Sequence, residues 1–186
     1  MERYRPPDRS KYLLKDEIAA LLTAAGKTGP FEHQFLKAQV NTGMRPSEAN
    51  QVRMQDVHAG ENRIRVNTLK QKKGKVVVRD IDLAPDYARE LAEWLKGRAP
   101  AEKLFPRSRV TFWAIFKRAA ALAGLSKGYT LYGLRHSRCI YLLEWTGDLV
   151  YTSRQMGHSS LDITKVYLHC LPSKREEIIQ TKLKSF

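Results

Sequence analysis

Acidic residues are scarce in this chain: 19 Asp and Glu stand against 33 Lys and Arg in 186 residues, a formal net charge of +14. Such an excess of positive charge favours a polyanionic partner, because each phosphate it neutralises releases condensed counterions. Cysteine is nearly absent. Cys139 and Cys170 make no disulfide framework, and each sits in an apolar stretch, as small buried hydrophobes do in a reduced cytosolic compartment. No apolar run reaches membrane-spanning length, and Met1 to Lys11, polar and basic with two prolines, reads as neither signal peptide nor membrane segment. No glycine-rich phosphate loop is present. His136 and Cys139, with His169 and Cys170, match no zinc module. These absences predict a cytoplasmic protein with no membrane partner, no metal and no cofactor.

A length of 186 residues fits one domain with a sizeable core, and 42% hydrophobic with 28% charged residues is ordinary for a globular protein. Residues 1–12 read as a flexible lead-in. Lys15 to Ala25 carries Ile18, Leu21 and Leu22 at helical spacing and is expected to end at Gly26. A second helix is predicted over Phe31 to Asn41, broken by Gly43, and Pro46 suits the first turn of a short helix bearing Glu48. Arg63 to Asn67 and Val76 to Leu83 read as antiparallel strands, with Lys72-Lys73-Gly74-Lys75 as the turn. From Pro85 onward the pattern is helical. Tyr87, Leu91, Trp94 and Leu95 form one apolar stripe, and Val110, Trp113, Phe116 and Ala120 form another. Leu131 to Trp145, Val150 to Met156 and Leu161 to Tyr167 are further helices, followed by an amphipathic segment from Ser173 to Lys184.

Four short motifs carry chemistry: Thr42-Gly43-Met44-Arg45-Pro46-Ser47-Glu48, Leu134-Arg135-His136-Ser137, Gly157-His158-Ser159-Ser160, and Val166-Tyr167-Leu168-His169. Cleaving a phosphodiester through a covalent intermediate needs a nucleophile, cations on the non-bridging oxygens and a proton for the leaving oxygen. Arginine suits the second task, since its fixed fork matches phosphate oxygens and stays charged. A phenol, with reference pKa about 10, needs nearby positive charge to attack at neutral pH.

In this order and spacing the motifs resemble the catalytic domain of the tyrosine recombinases, the phage-integrase family, from about Leu13 to Leu171. The resemblance implies a mainly α fold with a small antiparallel three-stranded sheet, the catalytic domain occupying residues 13–172. It implies Tyr167 as nucleophile, forming a 3′-phosphotyrosine bond and releasing a 5′-hydroxyl. Arg45 and Arg135 become the phosphate clamp, with Glu48 orienting the first of them. His158 becomes a hydrogen-bond donor to the scissile phosphate, and His136 a structural histidine. The family places a catalytic lysine on the β-hairpin; Lys70 in Thr68-Leu69-Lys70-Gln71 is the best match, while Lys72, Lys73 and Lys75 are expected to touch the DNA backbone.

One position departs from the pattern. The family's histidine three residues before the second arginine is here Tyr132, a poor base that can still donate a hydrogen bond. The implied partner is double-stranded DNA, with four protomers assembling on two sites from monomers in free solution. The segment 173–186 is expected either to cap its own core or to be exchanged between protomers. The family usually carries a core-binding domain ahead of the catalytic one, and none is evident here; the chain is expected to be either a catalytic fragment of a longer protein or a stand-alone short recombinase similar in size to the fimbrial-switch invertases. Two other functions fit the same motifs: a type IB topoisomerase-like relaxing enzyme, and a DNA-binding regulator with the same fold and impaired catalysis.

Overall fold

A computed structural model describes residues 11–70, 75–125 and 128–171, with backbone alone at 69, 70, 75 and 76. The expected lead-in through residue 10, Lys72 and Lys73, and the tail at 173–186 lie outside the described residues.

The first helix, α1 (Lys15–Thr28), begins where the Glu17 carboxylate accepts the Leu14 N–H at 2.7 Å, a capping contact that also places acid at the positive end of the helix. It runs through Gly26, where the sequence pattern had it stop. An interior glycine costs only about 1 kcal/mol relative to alanine, and buried Ala24 and Ala25 continue the packing face. The stop comes at Gly29 and Pro30, because proline has no N–H to carry a helix forward. α2 (Pro30–Thr42) ends as expected on Gly43, whose φ of +60° is the left-handed cap that glycine adopts without strain. Pro46 opens α3 (Pro46–Ala49), four residues that hold Glu48 inward.

The sheet has three antiparallel strands in the order β1 (Val57–His58), β2 (Arg63–Lys70) and β3 (Lys75–Asp82). β1 is too short to show alternation and left no signal in the sequence. Along β2, Ile64 and Val66 turn into the core while Arg63 and Arg65 face solvent, the two-residue period of a half-buried strand. The pairing runs from Arg63 opposite Asp82 to Lys70 opposite Lys75. Lys75 therefore belongs to a strand and not to the turn, since the ladder continues one residue beyond the predicted start.

α4 (Pro85–Leu95) buries Tyr87, Ala88 and Leu91 and packs Trp94 and Leu95 against the core, the stripe read from its spacing. α5 (Arg109–Leu122) corrects the second stripe. Phe112, Ile115, Phe116, Ala119 and Ala120 face inward, whereas Val110 and Trp113 are 76% and 55% exposed. Apolar residues cover more than one face of this helix, so periodicity could not choose between them. Packing chooses: Phe112 stacks on Phe35 of α2 at 4.1 Å between ring centres, and Phe35 in turn meets Phe105 edge-on.

α6 (Leu131–Thr146) and α7 (Leu149–Met156) close the molecule, joined through Gly147 in the left-handed region. The predicted helix over Leu161 to Tyr167 is split. α8 (Asp162–Lys165) is followed by a tighter 3₁₀ stretch, Val166–Cys170. Cys139, Ile140, Leu143, Met156, Val166 and Tyr167 form a second apolar cluster beneath α6 and α7, apart from the main core around Phe35 and Phe112. The fold is mainly α with one small three-stranded sheet. No helix among the described residues is long and apolar enough to cross a membrane.

Candidate active site

Four separate pieces of chain converge where α3, β3, α6 and the segment after α7 meet. Gly43 ends α2 and turns the chain so that Arg45 stands at the head of α3. Its backbone N–H donates to Glu48 at 2.7 Å, its side chain to Glu48 at 2.9 Å, and to the Gly157 carbonyl at 3.2 Å. Arg135, one turn into α6 and 8% exposed, donates to the carbonyls of Gly43 and Met156. The two arginines, distant in sequence, thus meet at the consecutive carbonyls of Met156 and Gly157.

Glu48 is the electrostatic pivot. Burial acts to raise its pKa, but the hydrogen bonds and charge of Arg79, the Thr68 hydroxyl and the Arg45 backbone N–H outweigh burial and bring it down to about 2. Both of its oxygens are held by Arg79, each at 2.9 Å, and Thr68 adds a hydrogen bond at 2.6 Å. Arg79 also donates to the Gln155 carbonyl and to Thr68. Neither Arg79 nor Thr68 stood out in the sequence. A signal was there: Val77, Arg79 and Ile81 fall on one face of β3, and an arginine at an inward position demands a buried partner.

Gly157 turns the chain after α7 with φ at +64°, and a Cβ on it would lie 2.8 Å from the Arg79 guanidinium. Only glycine fits both the left-handed turn and the close approach. That turn sets His158, whose Nδ1 pairs with the Thr164 hydroxyl at 2.8 Å and whose ring lies parallel to Tyr167, 6.4 Å between centres. Burial, then the charges of Arg135, Arg45 and Arg79, carry the His158 pKa down to about 3, so the ring is neutral near pH 7. Tyr167 is 4% exposed, and its hydroxyl lies 2.7 Å from His136 Nδ1. Burial and the adjacent Arg135 and Lys11 lower the His136 pKa as well. Burial, then the like charge of Arg45, also lowers Arg135, to about 10, which leaves it charged.

Three guanidinium groups therefore surround one carboxylate, beside two neutral imidazoles and a phenol, and the unbalanced positive charge suits a single phosphodiester. The structure brings together Arg45, Glu48, Arg135, His136, His158 and Tyr167. It does not draw Tyr132 into their hydrogen-bond network: this side chain is 46% exposed in a shallow groove of about 640 Å³, with Pro46, Val110 and Trp113. Lys70 ends β2 opposite Lys75, and the side chains of both lie outside the described residues. Among the described residues, no three His, Cys, Asp or Glu side chains gather as a metal site would require.

A mainly helical domain with a small three-stranded antiparallel sheet is the fold of tyrosine recombinase catalytic domains. The crystal structure of XerA recombinase covers 91% of this chain and 65% of its own, with a TM-score of 0.69 and 25% identity. The catalytic domain of bacteriophage HP1 integrase, 22% identical, covers 92% of this chain and 94% of its own at a TM-score of 0.69. Among sequences, tyrosine recombinase XerD of Staphylococcus saprophyticus is 29% identical over 86% of this chain and 58% of the relative. XerD of Chlorobaculum tepidum is 29% identical over 97% of this chain and 65% of the relative. The Phage integrase family model matches residues 11–174, and the chain belongs to that family. It spans less than two thirds of the length of these XerD relatives.

Proposed function

We propose that this chain is the catalytic part of a site-specific recombinase that cleaves and rejoins double-stranded DNA through a 3′-phosphotyrosine intermediate. The observation that carries this reading is the Tyr167 hydroxyl, buried against His136 and stacked beside His158, on which the charges of Arg45, Arg79 and Arg135 converge. Arg45 and Arg135 clamp the non-bridging oxygens of the scissile phosphate, and their charge stabilises the pentacovalent transition state. The Tyr167 oxygen attacks phosphorus, the bond from phosphorus to the 5′-oxygen breaks, and that oxygen leaves as a hydroxyl after taking a proton from the hairpin lysine, Lys70. A lysine among arginines has its pKa lowered toward the range where it can act as an acid. His158 donates from Nε2 to the phosphate while Thr164 orients its other nitrogen. Rejoining reverses these steps with a second strand's 5′-hydroxyl, so the bond energy held in the phosphotyrosine link makes a nucleotide cofactor unnecessary.

Strand exchange requires two sites, hence assembly of four protomers on DNA from free monomers, and a cytoplasmic location with access to DNA. XerH recombinase, a structural neighbour with a TM-score of 0.71 and 20% identity, is known bound to its difH substrate before and after cleavage. Lys72, Lys73 and Lys75 add phosphate contacts, so binding weakens with salt.

The test is a denaturing gel for a covalent protein–DNA adduct on supercoiled plasmid carrying the DNA that flanks the gene. The wild type forms the adduct, and Tyr167→Phe binds the plasmid without forming it. Binding by both proteins with no adduct from either sinks the recombinase reading in favour of a regulator. An adduct accompanied by plasmid relaxation, with no recombinant product from paired sites, favours a topoisomerase-like enzyme.

A further inference from the structure

We infer that His136 is the proton acceptor for the Tyr167 nucleophile, taking the place of the histidine that Tyr132 replaces. The inference rests on the recombinase reading above and adds to it the route of one proton.

Four observations carry it. His136 Nδ1 lies 2.7 Å from the Tyr167 oxygen, a direct contact between an imidazole and the reacting atom. The Tyr132 hydroxyl, by contrast, sits on an exposed side chain with no hydrogen bond among the described residues. His158, the other imidazole near Tyr167, lies parallel to the phenol with ring centres 6.4 Å apart, and its Nδ1 is committed to the Thr164 hydroxyl. The His136 ring is tilted 38° to the phenol, with centres 5.9 Å apart, and presents its nitrogen edge to the oxygen.

The charged and titratable groups facing His136 support an accepting role. Arg135 comes from its own helix, Lys11 from the segment before α1, Tyr167 from the 3₁₀ stretch and His158 from the turn after α7. Burial, Arg135 and Lys11 all disfavour the imidazolium, so the ring is neutral at physiological pH, and in its Nε2–H tautomer Nδ1 has a lone pair to offer. In that tautomer the phenol is the donor across the 2.7 Å contact. As the Tyr167 oxygen forms its bond to phosphorus, the proton passes to His136 Nδ1 and the ring becomes an imidazolium. The phosphorus–O5′ bond breaks, and the leaving oxygen takes its proton from Lys70. On rejoining, the imidazolium returns its proton to the departing phenolate. The phosphate bound by Arg45 and Arg135 brings negative charge that offsets the repulsion of the imidazolium by Arg135, so the acceptor strengthens when DNA is in place.

The experiment measures the rate of adduct formation on the flanking-DNA plasmid from pH 5 to 9. It compares wild type, His136→Asn, His136→Gln and Tyr167→Phe, each with and without added imidazole, with filter binding and thermal melting as controls. The expected wild-type rate falls on the acid side as His136 protonates. Both His136 variants melt and bind DNA like wild type but form adduct about 100-fold or more slowly at neutral pH. Their rates climb about tenfold per pH unit as hydroxide takes over the deprotonation, and imidazole restores adduct to His136→Asn. The inference is overturned if either folded variant keeps the wild-type acid limb, or if both lose rate equally at every pH with no response to imidazole. Tyr167→Phe lacking adduct in that same gel would leave the recombinase reading standing. Adduct from Tyr167→Phe at the wild-type level, or none from the wild type, overturns both.

Discussion

Arg79 grips Glu48 with two nitrogens, one on each carboxylate oxygen at 2.9 Å, and both side chains are more than nine-tenths buried. The pair stands behind Arg45: Glu48 binds Arg45 through its backbone and its guanidinium, while Arg79 fixes the Gln155 carbonyl and abuts Gly157. A strand, a one-turn helix and the turn bearing His158 are thereby held in one register.

Arg79→Lys keeps the charge but loses the fork, because an ammonium cannot match both oxygens. Adduct formation is expected to fall about 10- to 100-fold, with a loss of roughly 1–3 kcal/mol in stability. Arg79→Leu should be worse, since it strips both Arg79 hydrogen bonds from a buried carboxylate, at about 3–5 kcal/mol. Urea unfolding beside the adduct gel measures both; a Lys variant with wild-type kinetics would refute the positioning role.

Gly157→Ala places a methyl group 2.8 Å from the Arg79 guanidinium in a left-handed turn. The expected cost is about 1–3 kcal/mol of stability, together with a rate loss, because the displaced segment carries His158. Thermal melting and single-turnover adduct kinetics test the two effects separately.

Acid should destabilise the fold in two stages. His158 has a folded pKa of about 3 against an ordinary 6.5, so between those values the unfolded chain binds the extra proton and stability falls as pH drops below 6.5. Glu48, at about 2 against 4.5, contributes stability that is present above 4.5 and lost as pH falls toward 2. His158→Gln should shrink the first stage, to which the lowered His136 also contributes, and leave the second, as read from urea midpoints between pH 7 and 3. An unchanged first stage would contradict the assignment.

Tyr132→Phe removes a hydroxyl that has no hydrogen bond among the described residues and sits on an exposed ring, so its melting temperature should match the wild type. If the phenol donates to a phosphate oxygen, adduct formation slows about 10-fold, the worth of one hydrogen bond. Equal rates for the two proteins would remove Tyr132 from the catalytic set.

Ser137 ties the first described segment to α6: its hydroxyl accepts the Leu13 N–H at 2.8 Å, and both residues are fully buried. Ser137→Ala leaves that N–H without a partner, and about 1–3 kcal/mol of stability is expected to go. Urea unfolding checks it, and a loss under about 0.5 kcal/mol would show that the segment finds another acceptor.

Local chemistry determined much of this protein. Gly43, Pro46 and Gly147 punctuate the helices because φ and a missing N–H are properties of single residues, and the alternation of Ile64 and Val66 marked a strand for the same reason. The motifs around Arg45, Arg135, His158 and Tyr167 were legible because each is a short string of chemically distinctive side chains. Tertiary structure decided the rest. Which face of α5 is buried depended on Phe35, far away in sequence, since Val110 and Trp113 are as apolar as Phe112. Gly26 could lie inside a helix because its neighbours were packed. Arg79 acquired its importance only when β3 folded against Glu48, and His136 only when the 3₁₀ stretch laid Tyr167 across α6. Pairing energies of that kind belong to contacts between distant residues, and one-dimensional spacing carries no record of which partner each will meet.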